Sequence, residues 1–225
     1  MSKIQKPKLL NEAAYAIEVM HENCIRLATR EIFLHSYICN DAEEPGVDYR
    51  MTAAFIKNLQ LLDHKDREIL IHMSTMGGHY ADGMAIYDAI KNAQSYVTII
   101  AYTAARSMSS IILQAADCRV LMPHANMMLH EGTIAADCSA RLFQTHAAYD
   151  RVALRAMMNI YAARCFGSKF FKNASRQKIK EFIKGKYDQK QDWWISSTEA
   201  VRLGLADAVL GDKGYEDVRV LKPPR

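Results

Sequence analysis

Four features of the chain carry residue types that can act together. Ser107 lies in Ala104-Ala105-Arg106-Ser107-Met108-Ser109-Ser110, between an apolar, β-branched run at 96–101 and a second apolar run at 111–116. The first predicts a buried strand and the second a buried helix. At such a junction the hydroxyl is lifted off the sheet and the free N–H groups of the helix start point towards it. Gly77-Gly78 follow another apolar run, 68–73. Adjacent glycines there imply unusual φ/ψ or a close backbone approach. His130 ends the run 126–130, and Asp192 precedes Trp193-Trp194, with Asp188 as a nearby competitor. Serine attack on an acyl carbon needs a base near neutral pKa, a group orienting that base, and donors for the oxyanion. These residue types supply that set. Each also has an ordinary role: a helix N-cap for Ser107, a tight turn for the glycines, one satisfied histidine among eight for His130. Sequence order does not separate the two, because triads are recognised by geometry.

The elements around these residues follow from periodicity. Helices are predicted over 11–30, through Ala13, Ile17, Met20, Cys24 and Leu27, and over 49–62, through Ala53, Phe55, Ile56, Leu59 and Leu62. Strands are predicted at 31–35 and 68–73, a helix at 84–90, then the strand–Ser107–helix unit. Two short strands follow at 118–122 and 126–130, split by the turn Pro123-His124-Ala125. Residues 40–48 form an acidic loop punctuated by Gly and Pro. The alternation argues for an α/β fold with a largely parallel sheet, right-handed crossovers and strands covered on both faces. Ligands in such sheets bind beyond the carboxyl ends of strands, where Gly77-Gly78, Ser107 and His130 all fall.

Residues 138–165 form one long helical pattern, with Leu142, Tyr149, Ala153, Ala156, Met157 and Ile160 on one face. It exceeds what the sheet layer needs, so it is expected to project and pair with another subunit. The lysine-rich region 169–190 reads as a solvated helical face around Ile179, Phe182 and Ile183, with Phe170 and Phe171 in the core. Ser196-Ser197-Thr198-Glu199 is a capping box opening a helix over 200–203 that Gly204 ends. A last strand is expected at 206–210 and a frayed polar tail from Gly211.

The bulk properties narrow the class. At 225 residues, half of them hydrophobic, the chain is one domain, with or without an appendage. It has no run of eighteen apolar residues, so no membrane span is expected, and Met1-Ser2-Lys3-Ile4-Gln5-Lys6-Pro7-Lys8 is not expected to act as a secretory signal. The five cysteines, Cys24, Cys39, Cys118, Cys138 and Cys165, show no C-x-x-C spacing. That argues against a disulfide framework or zinc site and for a reducing, cytoplasmic compartment. A net charge of +4 gives no case for nucleic acid.

From about Glu31 to Leu210 the chain resembles the ClpP family, the self-compartmentalising serine peptidases of ATP-dependent proteolysis. Four segments carry the resemblance in order. Met76-Gly77-Gly78 through Gly83-Met84-Ala85-Ile86-Tyr87-Asp88 is similar to the family's Pro-Gly-Gly loop and the helix after it. Ala105-Arg106-Ser107-Met108-Ser109 is similar to its Ala-Ala-Ser-Met-Gly turn. Residues 120–123 with Met127-Met128-Leu129-His130 are similar to its Leu-Pro-Asn … Met-Ile-His segment. Asp192-Trp193-Trp194-Ile195-Ser196, through Glu199-Ala200 to Gly204-Leu205-Ala206-Asp207, is similar to its C-terminal pattern.

The resemblance implies a ClpP/crotonase-like α/β fold of repeated β-β-α and βαβ units with a projecting handle helix. It divides the chain into an N-terminal segment (1–30), a head with nucleophile and base (31–137), a handle (138–190), a C-terminal part of the head carrying the acid (191–212) and a tail (213–225). It implies Ser107 as nucleophile, His130 as general base and acid, Asp192 as orienting carboxylate, and the backbone N–H groups of Gly77 and Met108 as the oxyanion hole. It further implies a homo-oligomer of two stacked heptameric rings, an AAA+ unfoldase as partner and unfolded proteins as substrates. No cofactor or metal, no nucleic acid and no membrane are expected.

Departures from the pattern are Met76 for the family's Pro, Arg106 where a small residue is usual, Ser109 for Gly, and Glu131-Gly132 for Gln-Pro. The segment from His130 to Asp192 is also longer than usual. Two other functions compete on these grounds: a non-catalytic ClpP-like subunit, motivated by Arg106, and a crotonase-like acyl-CoA enzyme, which would share the paired backbone donors.

Overall fold

The computed structural model describes residues 8–35, 46–133, 137–218 and 221. The expected N-terminal stretch 1–7, most of the acidic loop, Cys39 and the Pro223-Pro224 end lie outside the described residues. Helix α1 (Lys8–Asn23) stops seven residues before the predicted end at Arg30. Cys24 turns the chain with a φ of 55°, and Ile25–Arg26 (β1) folds back antiparallel onto β2 (Glu31–His35). Helix α2 (Tyr49–Leu62) is capped by Asp48, whose carboxylate accepts from the N–H groups of Arg50 and Met51. Its Met51, Phe55, Leu59 and Leu62 form the buried face.

The sheet is then laid down by β3 (Glu68–Thr75), α3 (Tyr80–Asn92), β4 (Tyr96–Arg106), α4 (Met108–Leu113), β5 (Cys118–Leu121) and β6 (Asn126–Leu129). Helices α5 (Ala140–Cys165) and α6 (Arg176–Lys190) follow, then β7 (Trp193–Ser196), α7 (Ser197–Leu203) and β8 (Ala208–Val209). The main order is β1-β2-β3-β4-β5-β8. From β2 to β8 these strands run parallel.

β4 is the organising strand. Its eleven residues outlast its neighbours, so Thr98–Ala101 pair with β5 while Ala104–Arg106 pair with β6. β7, which periodicity did not reveal, adds antiparallel to β6. Coverage of both faces, expected for every strand, holds for the middle of β4, for β5 and for the two-residue β8. β2 and β3 alternate instead, burying Ile32, Leu34, Ile69, Ile71, Met73 and Thr75 on one face.

The other face of β3 carries His72. Its ring stacks on Phe33 at 4.7 Å, and its Nδ1 lies 2.8 Å from the Tyr102 hydroxyl. Burial holds the imidazole below its ordinary pKa of 6.5, outweighing Glu31, whose carboxylate is 3.5 Å from Nε2 and pulls upward. A histidine favoured neutral by folding contributes stability above the unfolded value of 6.5 and loses it as pH falls through the lowered one. Urea midpoints measured from pH 8 to pH 5 are therefore expected to fall less steeply in His72→Gln than in the wild type.

Arg119 ties β5 to the chain after α7. It is 5% exposed and donates to both oxygens of Asp207, to Gln114 Oε1 at 2.7 Å and to the Gly204 carbonyl at 2.9 Å. Removing the guanidinium leaves the buried Gln114 Oε1 and the part-buried Gly204 carbonyl without this donor, while Asp207 retains access to water. Arg119→Met is expected to cost about 2–3 kcal/mol in urea unfolding.

Helix α7 keeps half of its capping box. Ser196 Oγ accepts from the Glu199 N–H, but the Glu199 carboxylate turns to Arg202 at 2.6 Å. Gly204 ends the helix with φ 84°, as expected. Residues 169–175 precede α6 rather than belonging to it. Phe171 is core as expected, whereas Phe170 is 39% exposed; with Phe182 and Trp193 they form an aromatic cluster at the start of β7. The four described cysteines, Cys24, Cys118, Cys138 and Cys165, are free, and burial pushes the Cys165 thiol up to about 12. Among the described residues no helix is long and apolar enough to cross a membrane.

Candidate active site

Ser107 sits between β4 and α4 and does not cap the helix. Its φ of 50° and ψ of −124° turn the hydroxyl away from the N–H groups that a capping serine would bind. A non-glycine residue in this region costs about 1–3 kcal/mol and persists only where its surroundings enforce it. Those surroundings are visible. The Ser107 N–H donates to the Met128 carbonyl at 2.8 Å, and its own carbonyl accepts from Ser110 N and Oγ. Ser110 Oγ also meets the hydroxyl of Tyr161 at 2.6 Å, so α5 locks the turn from below. Burial pushes the Tyr161 phenol upward and keeps it neutral.

The freed hydroxyl lies 2.8 Å from His130 Nε2. On its other side, His130 Nδ1 lies 3.4 Å from Asp192 Oδ1. Pairing of β6 with β7 explains how residues sixty-two positions apart meet. Leu129 is opposite Trp193 in the antiparallel ladder, so the next residue of β6 faces the preceding residue of β7. Asp188, the alternative acid, is on α6 and paired with Lys184 at 2.9 Å. Asp192 is therefore the carboxylate brought to the imidazole. Its side chain is 47% exposed, and the contact is looser than that between serine and histidine.

The glycine loop lies against the same turn. Gly77 has φ 103°, and a Cβ there would fall 2.7 Å from the Arg106 carbonyl, 2.7 Å from Ser107 Cβ and 3.0 Å from the Met108 nitrogen. Only glycine fits both the conformation and the space. The chain at 46–48 holds the loop open: Val47 N donates to the Gly77 carbonyl at 2.6 Å, and His79 N to the Val47 carbonyl at 2.9 Å. Met108 is the first residue of α4, where an N–H has no intrahelical acceptor. The Gly77 N–H is 3.4 Å from Thr75 Oγ1, so the glycine loop packs against the serine turn with its own N–H close to the end of β3.

Two departures from the ClpP pattern gain a structural reason. Ser109, buried, donates to the Thr75 carbonyl at 3.0 Å and ties α4 to the end of β3. Arg106 points away from the serine–histidine pair. It stacks over Trp194 at 4.6 Å and donates to Asn126 Oδ1 at 3.1 Å. Tyr161 and Ser110 were missed by motif reading. A tyrosine within a predicted helix gives no sign that its hydroxyl reaches a serine fifty-one residues earlier.

The α/β sheet thus brings together a serine, a histidine beside it, a carboxylate behind the histidine and a glycine loop packed on the serine turn. The chain belongs to the Clp protease family: the model of the Clp protease family matches residues 27–213. It is 29% identical over 153 residues to the ATP-dependent Clp protease proteolytic subunit 2 of Prochlorococcus marinus (strain MIT 9312), covering 66% of this chain and 68% of that one. It is 25% identical over 168 residues to the ATP-dependent Clp protease proteolytic subunit of Deinococcus radiodurans, covering 73% of this chain and 76% of the relative.

Proposed function

We propose that this chain is a serine endopeptidase subunit of an ATP-dependent, self-compartmentalising protease. The observation that carries the reading is the 2.8 Å contact between Ser107 Oγ and His130 Nε2, made by a serine that leaves its helix uncapped. In this mechanism His130 takes the hydroxyl proton as Ser107 attacks the peptide carbonyl. Asp192 holds the imidazole in the tautomer with its proton on Nδ1 and stabilises the cation that forms. The N–H groups of Gly77 and Met108 receive the developing oxyanion. His130 then returns the proton to the leaving amine, and water repeats the sequence on the acyl-enzyme. The His130–Asp192 contact of 3.4 Å is expected to shorten when substrate binds, as catalytic hydrogen bonds commonly do.

Compartmentalisation is supported by α5. Its N-terminal half exposes Leu142, Phe143, Tyr149 and Val152, each 45–59% accessible. Such a surface suits a second copy of the chain, as expected for stacked heptameric rings. An AAA+ unfoldase would feed unfolded proteins to the enclosed sites, in the cytoplasm. A non-catalytic role is disfavoured because Arg106 is turned onto Trp194 and leaves Ser107 free. An acyl-CoA role is disfavoured because it leaves the serine–histidine contact without a purpose. The test is hydrolysis of short fluorogenic peptides by purified protein whose assembly is followed by negative-stain imaging. Rings with turnover support the reading; rings inert towards every peptide overturn it.

A further inference from the structure

The cleft that opens beside Ser107, about 70 Å³ in volume, has an uneven lining. Its walls and floor are Tyr80, Met108, Ala153, Met157 and Tyr161. Its charged groups are both acidic: Asp150, half-buried, and Glu131, exposed at the rim. No lysine or arginine lines it. Asp150, Ala153, Met157 and Tyr161 follow one another at spacings of three, four and four, so one stripe of α5 faces the cleft. The stripe starts at Tyr161, fixed beneath the serine turn by Ser110, and ends at Asp150. Asp150 lies about 10 Å along the axis from Met157. Tyr80 closes the side by packing edge-on against Tyr149 at 6.2 Å.

Asp150 has no cationic partner among the described residues. Its chain neighbour Arg151 donates through Nε to the Ala147 carbonyl instead. A half-buried carboxylate in the lining of a largely apolar cleft is complementary to a side chain with an apolar stem and a positive head. Met108 supplies both a wall of the cleft and, in the proposed mechanism, an oxyanion donor. The side chain that enters the cleft therefore belongs to the residue whose carbonyl is attacked. We infer that Asp150 makes this site select lysine or arginine on the acyl side of the cleaved bond. The inference rests on the peptidase reading above and adds a substrate class to it.

The test uses the full chain and fluorogenic peptides that differ only in that residue: Lys, Leu or Glu. Wild-type kcat/KM is expected to be roughly ten- to a hundredfold higher for Lys than for Leu, and lowest for Glu. In Asp150→Asn the Lys-to-Leu ratio is expected to fall at least tenfold, and in Asp150→Lys the Glu peptide should overtake the Lys peptide. Turnover without a Lys preference in the wild type, or a preference unchanged in both variants, overturns the role of Asp150 and leaves the peptidase reading intact. Absence of turnover together with absence of fluorophosphonate labelling at Ser107 overturns the peptidase reading, and the inference with it.

Discussion

Ser107→Ala is expected to lower peptide hydrolysis by about 10⁴-fold or more while leaving the fold in place. The two halves of this expectation have separate causes. The hydroxyl meets His130 and makes no cap bond, so no helix N–H loses its acceptor on truncation. The bonds that enforce the turn use the backbone of Ser107, the Met128 carbonyl, Ser110 and Tyr161, and all survive the substitution. Urea unfolding should then shift by well under 1 kcal/mol, within the usual range for a change away from packing and capping. A large loss of stability would mean that the hydroxyl is structural. Unchanged hydrolysis would mean that the reaction does not pass through it.

Gly77→Ala is expected to be nearly as damaging, about 10³-fold in kcat/KM, through a different route. A methyl group there meets the Arg106 carbonyl and Ser107 Cβ at 2.7 Å, and the residue must hold φ 103°. Either the glycine loop or the serine turn has to move. Loss of one oxyanion donor costs about 10²–10³-fold, and displacement of the attacking group adds to it. Gly185→Ala in α6 is the control, since a Cβ there meets nothing within 4 Å. Hydrolysis by Gly77→Ala at the rate of that control would remove the glycine loop from the mechanism.

The legible parts of the chain were those written in local pattern. The apolar runs leading to Met73, Ala101 and Leu121 located three central strands, and the 3.6-residue period gave α2 and α5. The junction at Ser107 was visible as a change of period. β7 was not, because Trp193 and Trp194 stand immediately before a strong helix-start signal and alternate only over four residues. Yet β7 is what carries Asp192 to His130, so spacing left Asp188 and Asp192 as alternatives and only the family resemblance pointed to Asp192. The end of α1 was misplaced because a positive-φ cysteine, Cys24, gives no signal of the kind glycine gives. The alternating faces of β2 and β3 were misread as double burial, since Phe33, Leu70 and His72 are apolar or aromatic without being core. Asp150 was hidden inside a helix whose exposed and cleft-facing charges look alike in sequence.

The most direct measurement is intact-mass and peptide-map analysis of the assembled protein after incubation with a fluorophosphonate. One adduct per chain is expected, on Ser107, and it should disappear in His130→Ala because the base that activates the hydroxyl is gone. An adduct on another residue, or none on Ser107 in well-formed assemblies, contradicts the assignment of this serine as the nucleophile.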